Sequence, residues 1–240
     1  MAIEKARGFV IRAFDYQESG RIVTLLSSGL GKISLLAKGA RRPESRFGAA
    51  LDLLNLIEVV FYEGRGLKLL KEATIIEHYP HLKQDYERLE ATMQAARVLG
   101  RLLREGQGEG RIFRLFAELL RELDEEVSKG KSRLELLQLG FKLKLIDLLG
   151  FGPELERCTS CRRSLNGEER TWFSPQVGGL VCSNCRSPRD REMPPPLLQS
   201  WRMILRLPLG KLSRLVLPQE LISQGEGLLD EFISYHLQPV

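Results

Sequence analysis

The sequence predicts an α+β protein: a small five-stranded barrel at the N-terminus, then an all-helical domain with an inserted four-cysteine module. Three observations carry this. Residues 1–79 break into short runs rich in β-branched and aromatic residues, separated by turn signals. From about residue 80 the apolar residues recur three or four apart, the helical period. All four cysteines lie between Cys158 and Cys185.

The strand segments are Arg7–Tyr16, Arg21–Ser27, Lys32–Ala37, Asn55–Tyr62 and Leu67–Glu77. Turns are expected at Glu18-Ser19-Gly20, Gly29-Leu30-Gly31 and Gly64-Arg65-Gly66. Alternation shows at Phe9, Ile11 and Ala13, and again at Ile33, Leu35 and Ala37. Five strands in so few residues suit the OB-fold, with an SH3-like barrel as the structural rival. The barrel domain is drawn as residues 1–79 and the helical domain as 80–240.

In the second domain, His81–Arg104 carries Leu82, Tyr86, Leu89, Met93, Ala96 and Leu99 at helical spacing. A glycine-rich loop, Glu105–Gly110, leads to a helix over Arg111–Val127, with Ile112, Leu115, Phe116, Leu119, Leu120 and Leu123 on one face. Ser128-Lys129-Gly130 ends it. A third helix spans Ser132–Leu149, with Ser132 as N-cap and Glu135 at the capping-box position. Gly150, Gly152 and Pro153 stop it. Pro194-Pro195-Pro196 is a rigid break and a helix start. The last helices, Leu197–Leu207 and Gln219–Leu237, have apolar faces wide enough to require packing onto the bundle.

Composition narrows the function classes. Of 240 residues, 43% are hydrophobic and 28% charged, which excludes wholesale disorder. Thirty-six Lys and Arg against 31 Asp and Glu give +5, a balance that permits a nucleic-acid partner without requiring one. No apolar run approaches the roughly 18 residues of a membrane span. The N-terminal residues lack the apolar core and cleavage site of a signal peptide. A cytoplasmic location, with reduced thiols, is therefore expected.

Cys158-x2-Cys161 and Cys182-x2-Cys185 are separated by 20 residues, within the range for paired zinc knuckles. A two-residue spacer lets both thiolates of one knuckle face a single ion. Two knuckles close a tetrahedral shell at about 2.3 Å per Zn–S bond. Four thiolates leave no open position, so one structural zinc ion per chain is predicted. Asn166-Gly167 and Val177-Gly178-Gly179 are turn signals inside the module. Over residues 157–191 seven arginines face three acids, so direct DNA contact by the module, or redox chemistry of its thiols, stands as a second reading beside a plain zinc staple.

Charge is concentrated in the barrel. Over residues 21–50, Arg21, Lys32, Lys38, Arg41, Arg42 and Arg46 oppose only Glu44, a net +5 equal to the excess of the whole chain. Most of it falls at the end of the third strand and in the loop after it. Cations in this place would contact a nucleic-acid backbone, with Gly39 allowing close approach and Ser45 donating to phosphate. The opposing reading is a solvated loop. Tyr16, Phe47 and Tyr62 are available either to stack bases or to fill the core.

Catalytic signatures are missing. Gly29-Leu30-Gly31-Lys32-Ile33 lacks the Ser/Thr and the upstream glycine of a phosphate loop. There is no metalloprotease, deaminase or hydrolase-elbow motif. His78, His81 and His236 are not spaced as ligands with the cysteines.

The order of parts, with Glu18-Ser19-Gly20-Arg21-Ile22-Val23-Thr24-Leu25-Leu26, Gly31 through Arg42, Ser45-Arg46, and Phe141 through Leu149-Gly150-Phe151-Gly152-Pro153 into the first knuckle, resembles the bacterial RecO family across essentially the whole chain. One departure is Arg162, where the family often has glycine after the second cysteine. The resemblance implies a non-enzymatic recombination mediator. Such proteins bind single- and double-stranded DNA, anneal complementary strands and help load RecA onto DNA coated by the single-strand-binding protein SSB. It further implies partnership with RecR, functional links to RecF and RecA, and a bacterial nucleoid setting. It implies docking of the acidic SSB tail on the helical domain, for which Arg133, Lys142 and Lys144 on the third helix are the candidates. Two rival classes are a zinc-stapled interaction adaptor that does not bind DNA and a zinc enzyme. Retention of single strands at low salt separates the mediator from the adaptor. A non-cysteine ligand in the zinc shell would mark the enzyme.

Overall fold

The barrel is made of β1 (Ile3–Tyr16), β2 (Gly20–Ser27), β3 (Gly31–Ala37), β4 (Leu56–Tyr62) and β5 (Lys68–Glu77). It closes in the order β1-β2-β3-β5-β4. All pairings are antiparallel except β3 with β5, where Leu35 and Leu36 lie beside Lys68 and Leu69 in parallel. That crossover is the OB arrangement and not a simple meander. The computed structural model describes residues 2–64, 67–107, 110–125, 131–165 and 169–237, with the side chains of 131, 213 and 214 excepted. The turn residues Arg65-Gly66, Ser128–Gly130 and Asn166-Gly167, and residues 108 and 109 of the glycine-rich loop, lie outside these.

One long strand serves two neighbours. Residues 3–9 of β1 pair with β4, and residues 8–16 pair with β2. Gly8 stands at the changeover, where an added Cβ would come within 3.0 Å of Leu25 Cβ and the Leu26 carbonyl oxygen. Glycine makes this approach easy, because any side chain would force its neighbours to give by a few tenths of an ångström. A bulge between Val10 and Arg12 then shifts the alternation. Val10 and Ala13 face the barrel interior, not the expected set of Phe9, Ile11 and Ala13. Ile33, Leu35 and Ala37 face it as expected. A 3-10 turn at Gly48–Leu51 follows β3, and Phe47, Ala50 and Leu51 enter the core. Phe47 is thus a core side chain and unavailable for stacking bases.

Phe9 points the other way, into the helices. Its ring lies 4.9 Å from that of Phe113 and 5.3 Å, edge-on, from that of Phe116. This contact joins α1 (Pro80–Gln84), α2 (Tyr86–Leu102) and α3 (Gly110–Asp124) to the barrel in one compact unit that ends near residue 126. The segment His81–Arg104 is two helices because Asp85 adopts an extended backbone, and its carboxylate accepts the Arg88 N–H at 3.1 Å as the N-cap of α2. After α2 the chain runs beside the start of β3: Gly106 N–H donates to the Lys32 carbonyl at 2.8 Å, and Lys32 N–H donates to the Gln107 carbonyl at 3.2 Å. These bonds satisfy a part of β3 lying beyond its two residue pairs with β5.

The second unit, residues 127–239, holds α4 (Lys131–Leu148), α5 (Pro195–Arg206) and α6 (Gln219–His236). It also holds a sheet of β6 (Thr171–Ser174), β7 (Gly179–Cys182) and β8 (Arg191–Met193), ordered β7-β6-β8. Leu136, Leu137, Leu139, Phe141, Leu143, Leu145 and Ile146 are buried almost all round α4, which makes it the central helix. Ser132 lies inside α4 and is not its N-cap; its hydroxyl donates to Gln219 Oε1 at 2.7 Å. Gly150, at φ +83°, ends α4 as expected: its N–H donates to the Asp147 carbonyl and the Phe151 N–H to that of Ile146.

Candidate functional site

Both knuckles are shaped by short backbone hydrogen bonds. Arg162 N–H donates to the Cys158 carbonyl at 2.9 Å, and Cys185 N–H to the Cys182 carbonyl at 3.1 Å. Thr159 N–H donates to the Leu180 carbonyl at 2.8 Å, which ties the first knuckle to β7 beside the second. The four sulfurs all lie within 4.8 Å of one another, and Cys161 Sγ is 3.8 Å from Cys182 Sγ. A tetrahedral shell with bonds of about 2.3 Å separates its sulfurs by roughly 3.8 Å. The donor set therefore fits a tetrahedral metal ion held by Cys158, Cys161, Cys182 and Cys185, with no position left open.

The thiols show what a cation would relieve. Burial pushes the Cys158 thiol up, but the backbone N–H groups of Cys161, Cys182 and Ser160 outweigh it and hold the group at about 6. Hydrogen bonds with the Cys182 and Cys161 side chains push Cys185 up to about 12. Cys158 is thus favoured as the thiolate and Cys185 as the thiol, and a metal held by both would displace the Cys185 proton.

Arg162 has φ +63°, the left-handed conformation that favours glycine. The departure from the family pattern thus falls on a backbone position that tolerates a side chain poorly. Arg162→Gly is expected to stabilise the second unit by about 0.5–1 kcal/mol, read from chemical denaturation, with zinc content unchanged. Arg202 anchors the same segment from α5. Its guanidinium donates to the Leu155 carbonyl at 2.6 and 3.0 Å and to the Leu165 carbonyl at 2.8 Å. Several module arginines are engaged: Arg163 with Glu169, Arg170 with Glu192 and Arg191 with Glu231, while Arg186 lies over the Trp172 ring at 4.5 Å.

The basic loop is folded, not a solvated coil. Arg41 N–H donates to the Ser19 carbonyl at 3.0 Å, which joins the loop to the β1–β2 turn. Arg42 N–H donates to the Gly39 carbonyl and Ser45 N–H to the Arg42 carbonyl. Gly39, at φ +72°, makes the first turn. Phe47 inserts into the core, and the Arg46 guanidinium lies 5.1 Å above its ring. Two adjoining clefts result. One of about 520 Å³ is lined by Tyr16, Gly20, Leu36, Lys38, Gly39 and Arg42. The other, of about 470 Å³, shares Lys38, Gly39 and Arg42 and adds Ser45, Arg46 and Phe47. Lys38, Arg42, Ser45 and Arg46 are thereby brought together. Arg21 and Arg41 flank them, both paired with Asp15, at 3.3 and 3.2 Å.

Lys32 stands apart. Its ammonium donates to the Gly100 carbonyl at 2.9 Å and to the Leu103 carbonyl, at the C-terminal end of α2. Charge counting places Lys32 among the DNA-contacting cations, and here the packing of α2 engages its ammonium. Lys32→Ala is expected to cost about 1–2 kcal/mol in denaturation and to leave the salt dependence of DNA binding unchanged.

Two of the third-helix cations are likewise engaged within the fold. Lys142 has a largely buried side chain and pairs with Asp230 at 3.1 Å and Glu226 at 3.8 Å on α6. Lys144 donates to the Leu205 carbonyl near the end of α5 at 3.4 Å. The face that spacing marks as solvated is the one against which α5 and α6 pack. Arg133 is half-buried near the start of α4. Tyr62 is half-buried on β4. Arg12 and Phe14, outside the basic stretch of residues 21–50, alternate with Tyr16 at the end of β1. Among the described residues, no helix is long and apolar enough to cross a membrane.

Comparison with known proteins gives a consistent result. Residues 1–79 match the family model described as Recombination protein O N terminal, and residues 83–239 match Recombination protein O C terminal. The DNA repair protein RecO of Rubrobacter xylanophilus is 34% identical over 214 residues, 88% of this chain and 84% of that protein. The protein of the same name from Moorella thermoacetica is 28% identical over 235 residues, 97% of this chain and 86% of that protein. That of Desulfatibacillum aliphaticivorans is 30% identical over 238 residues, 95% and 90% of the two chains.

Proposed function

The chain belongs to the RecO family of DNA repair proteins, and we propose that within recombinational repair it is a non-enzymatic mediator that binds single- and double-stranded DNA and anneals complementary strands. The observation that carries this is the convergence of Lys38, Arg42 and Arg46 on two adjoining clefts at one end of an OB-type barrel. Cations so placed neutralise phosphates, so that two like-charged strands can approach and pair. Each contact releases counterions, with a salt slope of about −0.7 on single strands. Arg21 and Arg41 add positive charge at the rim, and Ser45 supplies a hydroxyl donor.

The barrel, residues 1–79, is the DNA-binding part of this reading. Residues 80–240 form the helical domain, with the zinc module at 157–191. Zinc fits the four thiolates better than a hard cation, because thiolate is a soft ligand and the shell is tetrahedral. The partners are RecR and the acidic tail of SSB, with RecF and RecA acting in the same process as RecA is loaded onto SSB-coated DNA. The setting is the bacterial cytoplasm at the nucleoid.

An annealing assay tests the reading. Complementary oligonucleotides, bare or coated with SSB, are expected to pair faster with the protein present, and the gain is expected to fade as salt rises. Failure to retain a single strand at low salt would overturn it in favour of an adaptor that does not touch DNA.

A further inference from the structure

The loop cations leave unexplained the outer face of β1. Beyond the bulge, Arg12, Phe14 and Tyr16 pair with Thr24, Ile22 and Gly20 and share the face opposite the core-facing Ala13. Phe14 is 41% exposed and Tyr16 36%. The Arg12 guanidinium rests on the Phe14 ring, 4.9 Å from its centroid. Tyr16 stands opposite Gly20, which has no side chain to cover it; a Cβ there would approach the Tyr16 carbonyl oxygen to 2.7 Å. Tyr16 also lines the cleft that contains Lys38 and Arg42.

Leaving about two-fifths of Phe14 and of Tyr16 in water forgoes part of the burial that such side chains ordinarily provide. Their position beside phosphate-binding cations accounts for it. Unpaired bases present flat π-faces that stack on aromatic rings, while nearby cations hold the backbone. A duplex hides those faces in its own stack and offers this surface only phosphates. We propose that Phe14 and Tyr16, with Arg12, form a base-stacking platform by which the barrel prefers single-stranded to double-stranded DNA. The proposal rests on the DNA-binding reading of the adjacent loop and adds to it the part of the ligand that the cations do not address.

The test measures binding of the full chain to an oligothymidylate, an abasic strand of equal length and a blunt duplex. The wild type is expected to bind the oligothymidylate about 100-fold more tightly than the abasic strand, about tenfold for each ring. Phe14→Leu and Tyr16→Leu keep apolar bulk without a ring. Each is expected to weaken oligothymidylate binding about tenfold, with abasic and duplex binding and the salt slope unchanged. Tyr16→Phe is expected to bind as the wild type does. Equal wild-type affinity for the base-bearing and abasic strands would overturn the platform whatever the variants do. So would equal losses on single strand and duplex in the leucine variants. Either result leaves the loop reading intact. Absence of salt-dependent binding to all three probes would overturn the DNA-binding reading itself.

Discussion

Replacing Lys38, Arg42 and Arg46 together by Ala is expected to weaken single-strand binding by about 100-fold at 0.1 M salt, at about 0.7 of a decade for each lost contact. The three line the two adjoining clefts and are the cations the fold converges on them. The log–log salt slope is expected to shrink by roughly 2, because three phosphate contacts no longer release counterions. The loss should be the same for every base sequence, since phosphates carry no sequence information. Annealing should fall in parallel. Arg41→Ala is expected to have a smaller effect, because its guanidinium already pairs with Asp15. Fluorescence anisotropy across a salt series measures all of this. A folded triple variant with wild-type affinity and slope would reduce the loop to solvated surface and move the search to the arginines of the zinc module.

Cys182→Ser is expected to abolish stoichiometric zinc and to unfold the module. Cys182 ends β7, pairs with Thr171 on β6 and begins the second knuckle. Phe173 on β6 packs edge-on against Trp201 of α5, with ring centroids 5.4 Å apart, and lies 6.1 Å from Phe232 of α6. Loss of the module therefore removes one wall of the second unit's core. Zinc binding of about 10–16 kcal/mol is folding free energy in small thiolate sites, so a large fall in melting temperature follows. Chelation should reproduce it. The ligands bind deprotonated, so this stabilisation is present at neutral pH and lost as pH falls. Elemental analysis and calorimetry decide the matter: full zinc content with unchanged melting in the variant would refute the ligand assignment.

Legibility in the sequence followed the range of the interactions involved. The paired knuckles are local, since two residues of spacing within each and about twenty between them suffice to bring four sulfurs together, and the structure clusters them. The strand runs, the Gly150 helix stop and the proline start of α5 are likewise local preferences, and they appear where they were expected. The basic loop was visible as charge. Its conversion into two clefts was not, because that depends on the Arg41 bond to the β1–β2 turn and on Phe47 entering the core.

Three other features were set by tertiary contacts alone. The bulge at Ile11 decides which β1 side chains face inward, and a bulge belongs to the pairing of β1 with β2 and not to either strand. The helices before residue 126 join the barrel because Phe9 offers them an aromatic surface on its far side. Lys32, Lys142 and Lys144 read as free cations from spacing and charge, yet each ends on carbonyls or carboxylates of a distant element. The sequence by itself determined most of the element types and the clustering of the four cysteines, because backbone preference and chelate geometry act over a few bonds. Only the tertiary structure decided which charges remain for a ligand, because an ammonium binds the nearest acceptor in space and the fold determines what is near.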